Sequence, residues 1–147
     1  QTNKWARELE VCDQKLYKIL REIVASNKRS IQTIQESNIF PEETAYYSRE
    51  IPCVIGSAEH QIKKRDEWFR NSFSELNSCD ILFLDPDNGM EVPSVPQGHP
   101  KSAKYVFYRE VLEYYRNGHS IIIYNHSDRS SEQDYLKRFT RFKELLD

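Results

Sequence analysis

The sequence predicts one α/β domain over residues 1–147, with a short, mainly parallel sheet flanked by helices, and three observations lead there. Ile81-Leu82-Phe83-Leu84 is continuously apolar, as expected of a strand covered on both faces, and such strands belong mainly to parallel sheets. A second apolar run, residues 120–124, reads as another buried strand. Between them lies a segment long enough for a helix, and strands joined in that way imply right-handed β-α-β crossovers.

Asp13 is placed to cap a helix whose Leu16, Ile19, Leu20, Ile23 and Val24 follow the three-and-four spacing of one buried face. The preceding residues, 1–10, are polar and do not read as a first structural element. Ser30 offers a cap before Ile31 and Ile34, and that short helix should stop near Asn38, ahead of Pro41. Residues 44–48 are rich in β-formers and suit a strand, while Pro52 and Gly56 interrupt regular structure after it. Residues 58–76 turn helical, with Phe69, Phe73 and Leu76 on one face and Lys63 able to pair with Glu67.

After the strand ending at Leu84 comes a Pro-rich loop, 86–100, then an expected helix over 102–116 closed by Asn117-Gly118. The strand 120–124 follows. Ser131 with Asp134 resembles a capping box and opens a last helix with Tyr135, Phe139, Phe142 and Leu146 on one face. Three strands are few for a parallel sheet. That number suggests a fragment of a longer chain that lacks an N-terminal strand, or pairing with another chain.

The 147 residues, 38% hydrophobic, suffice for a single core. With 21 basic and 23 acidic residues, no global field attracts nucleic acid or an acidic membrane, so any such contact is local. No apolar run approaches the roughly 20 residues needed to span a bilayer, and no signal peptide opens the chain. The expectation is therefore a cytoplasmic protein without a membrane partner. Cys12, Cys53 and Cys79 lie far apart without a Cys-x-x-Cys pair, which points to reduced thiols rather than a disulfide framework or a zinc site.

In open parallel sheets, ligands bind in the crevice beyond the carboxyl ends of the strands. Two loops leave that edge here, Asp85-Pro86-Asp87-Asn88-Gly89-Met90-Glu91 and Tyr124-Asn125-His126-Ser127-Asp128-Arg129. Asp85 directly ends four apolar residues, so partial desolvation is expected and with it the need for a cation, a donor or a ligand. Asp87 and Glu91 would add oxygen ligands for magnesium. His126 is placed to act as general acid or base near neutral pH, or to bond a backbone carbonyl. Asp128 and Arg129 suit a phosphate or a surface ion pair with each other. His60, His99 and His119 lack ligand-like spacing and read as ordinary surface or loop residues. Tyr105, Phe107, Tyr108, Tyr114 and Tyr115, close to Lys104 and Arg109, have the composition of a base-stacking surface, but helical spacing makes most of them core. Lys137, Arg138, Arg141 and Lys143 form a modest basic face whose default role is solvation.

The stretch from Asp80 to Asn88 resembles the fourth strand and following loop of Rossmann-like methyltransferases that use S-adenosylmethionine, particularly those acting on exocyclic amines of nucleic-acid bases. That resemblance implies a three-layer Rossmann-like architecture, a nucleic acid or nucleotide as partner, and a site built from Asp85, Pro86, Asn88 and Tyr124. Asp87 stands where the family has a second proline, and Asn88 replaces the aromatic residue that would stack on a flipped base. No Gly-rich loop follows an early strand. Asp85-x-Asp87-Asn88 after a buried strand is also similar to the opening of PIN-like nucleases of the NYN type. In that case Asp85, Asp87 and Glu91 or Asp128 would hold magnesium or manganese, with His126 assisting a metal-bound water. A third reading is a binding module that holds a nucleotide or partner without catalysis. It is preferred if the carboxylates prove scattered or paired with lysines.

Overall fold

A computed structural model describes residues 4–28, 30–53, 56–125 and 132–146, with side chains from residue 7 onward. The chain divides into two compact units, 1–48 and 49–147. Within the first lie helices α1 (Lys4–Cys12), α2 (Gln14–Ala25) and α3 (Ile31–Glu36). Asp13 and Ser30 cap α2 and α3 as expected, accepting from the Leu16 and Thr33 amides at 2.9 and 3.1 Å. Asn38, at φ 52°, takes the left-handed conformation just past α3. Helix α1 was not expected from its polar composition; Ala6, Arg7, Glu8 and Leu9 are nevertheless good helix formers.

The expected strand at 44–48 does not form. A β-rich segment becomes a strand only beside a partner ladder, and the unit that holds these residues is helical. The described residues therefore contain two strands, not three.

The second unit holds helix α4 (Ala58–Leu76), strand β1 (Ile81–Leu84), a 3-10 turn at Ser102–Lys104, helix α5 (Tyr108–Arg116), strand β2 (Ser120–Ile123) and helix α6 (Glu132–Glu144). The fold is thus mixed α/β and mostly helical, with a two-stranded parallel sheet in which Leu82 pairs with Ile121 and Leu84 with Ile123. Ser57 caps α4, accepting from the His60 amide at 3.2 Å. Glu67 pairs with Lys64 at 3.0 Å rather than with Lys63, and that ammonium holds its carboxyl below the ordinary value. Gly118, at φ 95°, turns the chain out of α5 in a conformation that side-chain-bearing residues avoid.

The core lies on one side of the sheet. Phe69 of α4, Leu82 of β1 and Tyr114 of α5 are buried together, with Trp68, Phe73, Leu76, Cys79 and Ile121 packed around them. Tyr114 meets Phe69 edge-on at 5.2 Å, and its hydroxyl shares a 2.8 Å hydrogen bond with Ser72 inside the core. His119 is buried here as well, not at the surface, with Nδ1 2.6 Å from the Cys79 carbonyl oxygen. Its ring stands edge-on to Phe73 and Tyr114.

On the other side, Ile81, Phe83, Ile122 and Tyr124 are each more than half exposed. Neither strand is covered on both faces among the described residues. The apolar run at 81–84 does not alternate in sequence, yet it alternates in burial, because α4 and α5 supply cover to one face alone.

The helix expected over 102–116 is broken. Val106 bridges to Met90 and Phe107 is extended, so α5 begins at Tyr108. The Glu110 carboxylate accepts from the Phe107 amide at 3.0 Å, which fixes the helix start there. Phe107, Tyr108 and Tyr114 are buried, Tyr105 is half-buried and Tyr115 exposed, so most of the aromatic residues serve packing. Ser131, and with it the expected capping box, lies outside the described residues; Asp134 pairs with Lys137 at 3.3 Å. On α6, Tyr135 contacts Phe139 at 4.9 Å and Phe142 stacks on Tyr108 at 5.1 Å. No disulfide joins the three cysteines. Among the described residues no helix is long and apolar enough to cross a membrane.

Candidate functional site

The two strand tips stand side by side. Parallel pairing carries through Leu84 and Ile123, and the Tyr124 amide donates to the Leu84 carbonyl at 2.9 Å. Asp85 and Tyr124 are the next residues on each strand, and both are exposed. The expected desolvation of Asp85 is therefore corrected: the residue is exposed where the β1–β2 ladder ends. Pro86 follows, half-buried, and begins the loop.

The loop after β1 is held by backbone bonds. The Asn88 amide donates to the Lys104 carbonyl at 2.9 Å, the Glu91 amide to Val106 at 2.8 Å, and the Val106 amide back to Gly89 at 3.1 Å. Gly89 makes this turn at φ 88°. A further tie comes from the other strand tip, where Asn125 Oδ1 accepts from the Met90 amide at 2.8 Å and Asn125 Nδ2 donates to the Tyr135 hydroxyl at 3.1 Å. Asn125 thus joins both tips to α6. Its place in the second loop puts it at the strand tip in the sequence, but neither of its two partners, Met90 and Tyr135, is legible from that place.

The carboxylates go separate ways. Asp87 is exposed and faces Lys104 at 3.4 Å. Glu91 turns inward and accepts from the Tyr108 amide at 2.9 Å, satisfying an orphan donor at the start of α5. Among the described residues no three His, Cys, Asp or Glu side chains gather so as to hold a metal ion, so Asp85, Asp87 and Glu91 do not make such a set by themselves. His126, Asp128 and Arg129 lie outside the described residues.

A small cleft opens beside the loop, lined by Asn88, Met90, Glu91, Tyr108, Asn125, Arg138 and Phe139, with a free volume of about 10 Å³. That is room for about one water molecule. Burial, reinforced by the Glu91 charge, raises the Tyr108 phenol above its ordinary value, and Arg138 and Arg141 oppose this.

Behind the loop lies a feature the sequence reading missed. Arg65 of α4 and Glu110 of α5, 1% and 3% exposed, form a bidentate pair with Nε–Oε1 at 2.6 Å and Nη2–Oε2 at 2.8 Å. Arg65 also donates to the Ser102 and Tyr105 carbonyls at 2.8 and 2.7 Å, and its guanidinium lies 4.5 Å from the centre of the Phe107 ring. Separated by 45 residues, the two offer no local spacing to find them by.

No family model matches the chain, and no curated protein or solved structure matches it either.

Proposed function

We propose that this chain is a nucleoside- or nucleotide-binding module whose site is the crevice at the carboxyl ends of β1 and β2. The observation that carries the reading is the adjacency of Asp85 and Tyr124, both exposed, at the tips of paired parallel strands. A carboxylate accepts from ribose hydroxyls or an exocyclic amine, and an exposed phenol ring offers a face on which a base stacks. The crevice at parallel strand tips is where open α/β sheets receive ligands. The three-layer Rossmann-like architecture belongs to this proposal, with β1, α5 and β2 as one crossover of it.

Non-catalytic binding ranks first because Asp87 sits beside a lysine and Glu91 is spent on the start of α5. With Asp87 beside a lysine and Glu91 engaged at the start of α5, the magnesium- or manganese-dependent nuclease is the reading with least support. A methyltransferase-type domain acting on nucleic acid remains the second reading. It is favoured by Asp85-Pro86 standing where a parallel strand ends before a helix and a parallel neighbour.

The test is a thermal-shift screen with ATP, GTP, AMP and S-adenosylmethionine. A ligand at 100 times its Kd adds about 2.7 kcal/mol of stability by mass action, so a rise in Tm is expected with at least one of them. Asp85→Asn should abolish that rise while leaving the ligand-free Tm unchanged. Equal shifts in both proteins, or none in either, reject the reading. Asp85-dependent methyl transfer from S-adenosylmethionine to an oligonucleotide would replace it with the second.

A further inference from the structure

We infer that Arg65, held by Glu110, is a positioning residue for the loop 85–91, acting through the segment 102–107. The inference rests on the reading that the Asp85 crevice is the working site.

The contacts form an unbroken series. Arg65 donates to Glu110 and to the carbonyls of Ser102 and Tyr105. Glu110 in turn accepts from the Phe107 amide at 3.0 Å. Both ends of the segment are thereby attached to side chains on α4 and α5. Its middle is bonded to the site loop, with Lys104 and Val106 taking the Asn88 and Glu91 amides and Val106 donating to Gly89. Residues 85–89 and 91 belong to no helix, strand or bridge, and Met90 has only its single bridge to Val106. The shape of this loop is borrowed from 104–106, and that of 104–106 from Arg65.

A purely structural account of the pair is less complete. A buried ion pair is on average no better for stability than well-packed apolar residues of the same volume. Apolar side chains, however, cannot fix two backbone carbonyls in a segment whose regular structure is one 3-10 turn and one bridge. Lysine fits less well: its ammonium gathers three donors on one atom, while the planar guanidinium presents a fork that reaches the carboxylate and both carbonyls at once. Asn125 holds the loop from the β2 side through Met90, leaving the amides of Asn88 and Glu91 to depend on the Arg65 side.

Backbone amide hydrogen exchange on the ligand-free protein tests this. The reporters are Asn88, Glu91 and Val106, compared with Ser120 and Tyr124, whose amides are bonded across the β1–β2 ladder. In Arg65→Lys, exchange at the first three should accelerate by roughly tenfold or more beyond any change at Ser120 and Tyr124. The same factor at all five amides would mean that Arg65 acts on global stability alone and would overturn the inference. If Arg65→Lys does not fold, Glu110→Gln, which keeps one acceptor oxygen, is read by the same criterion. No ligand is needed, so failure here is distinct from failure of the proposed binding function.

Discussion

The two faces of one short ladder meet opposite surroundings. Leu82, 3% exposed, is packed with Phe69 and Tyr114, whereas its neighbour Phe83 is 64% exposed on the other side. The side chains are similar in apolar character, so the difference lies in what is brought against them. Helices α4 and α5 cover the Leu82 face, and the Tyr114 hydroxyl inside it is met by Ser72. On the Phe83 face the described residues bring no comparable layer, and Ile81, Ile122 and Tyr124 share its exposure. An unbroken apolar run therefore reports that a strand is fit for burial, not that both of its faces are buried.

The sharpest way to break this contrast is Leu82→Ala. Truncation inside a packed cluster removes transfer energy and leaves a cavity, so a loss of about 3 kcal/mol is expected in urea unfolding. A loss below about 0.5 kcal/mol would mean that the inner face is not packed as described.

A smaller effect should appear only at high pH. Tyr108 has a phenol pKa raised in the folded protein above its ordinary 10.0, mainly by burial and then by Glu91. Its neutral form is favoured by folding, so its contribution is fully present below about pH 10 and is lost as pH rises through the folded value. Tyr108→Phe should flatten the fall in Tm above pH 10 relative to the native protein. An identical alkaline decline in both would remove Tyr108 from the account.

The smallest effect belongs to the open face. Phe83→Ser should change stability by no more than about 0.5 kcal/mol, the range usual for exposed positions. A loss approaching that of Leu82→Ala would show that Phe83 is covered in the folded protein, and the contrast between the faces would collapse.

Much of the local structure was legible. The caps Asp13 and Ser30 lie at their helix starts because a short oxygen-bearing side chain satisfies an orphan amide with no help from afar. Helix α4 runs over 58–76 as its periodicity demands, and the strands at 81–84 and 120–123 fall within the apolar runs. The candidate site was legible in part. The adjacency of the two strand tips follows from parallel pairing, but the fates of Asp87 and Glu91 do not. Each depends on a residue 17 positions away, Lys104 or Tyr108, brought close by the folding of 102–107.

What the sequence determined by itself is whatever short-range forces decide: caps, helix positions, apolar strand segments and the turns at Gly89 and Gly118, but not burial, since no residue of α2 is buried despite its apolar spacing. Tertiary structure decided the rest: the broken helix before Tyr108, the strand that never forms at 44–48, the burial of His119 and the Arg65–Glu110 pair. Each of these turns on desolvation or pairing with a group far along the chain. Such energies exist only once the chain has brought the two ends together, so propensity and spacing carry no record of them.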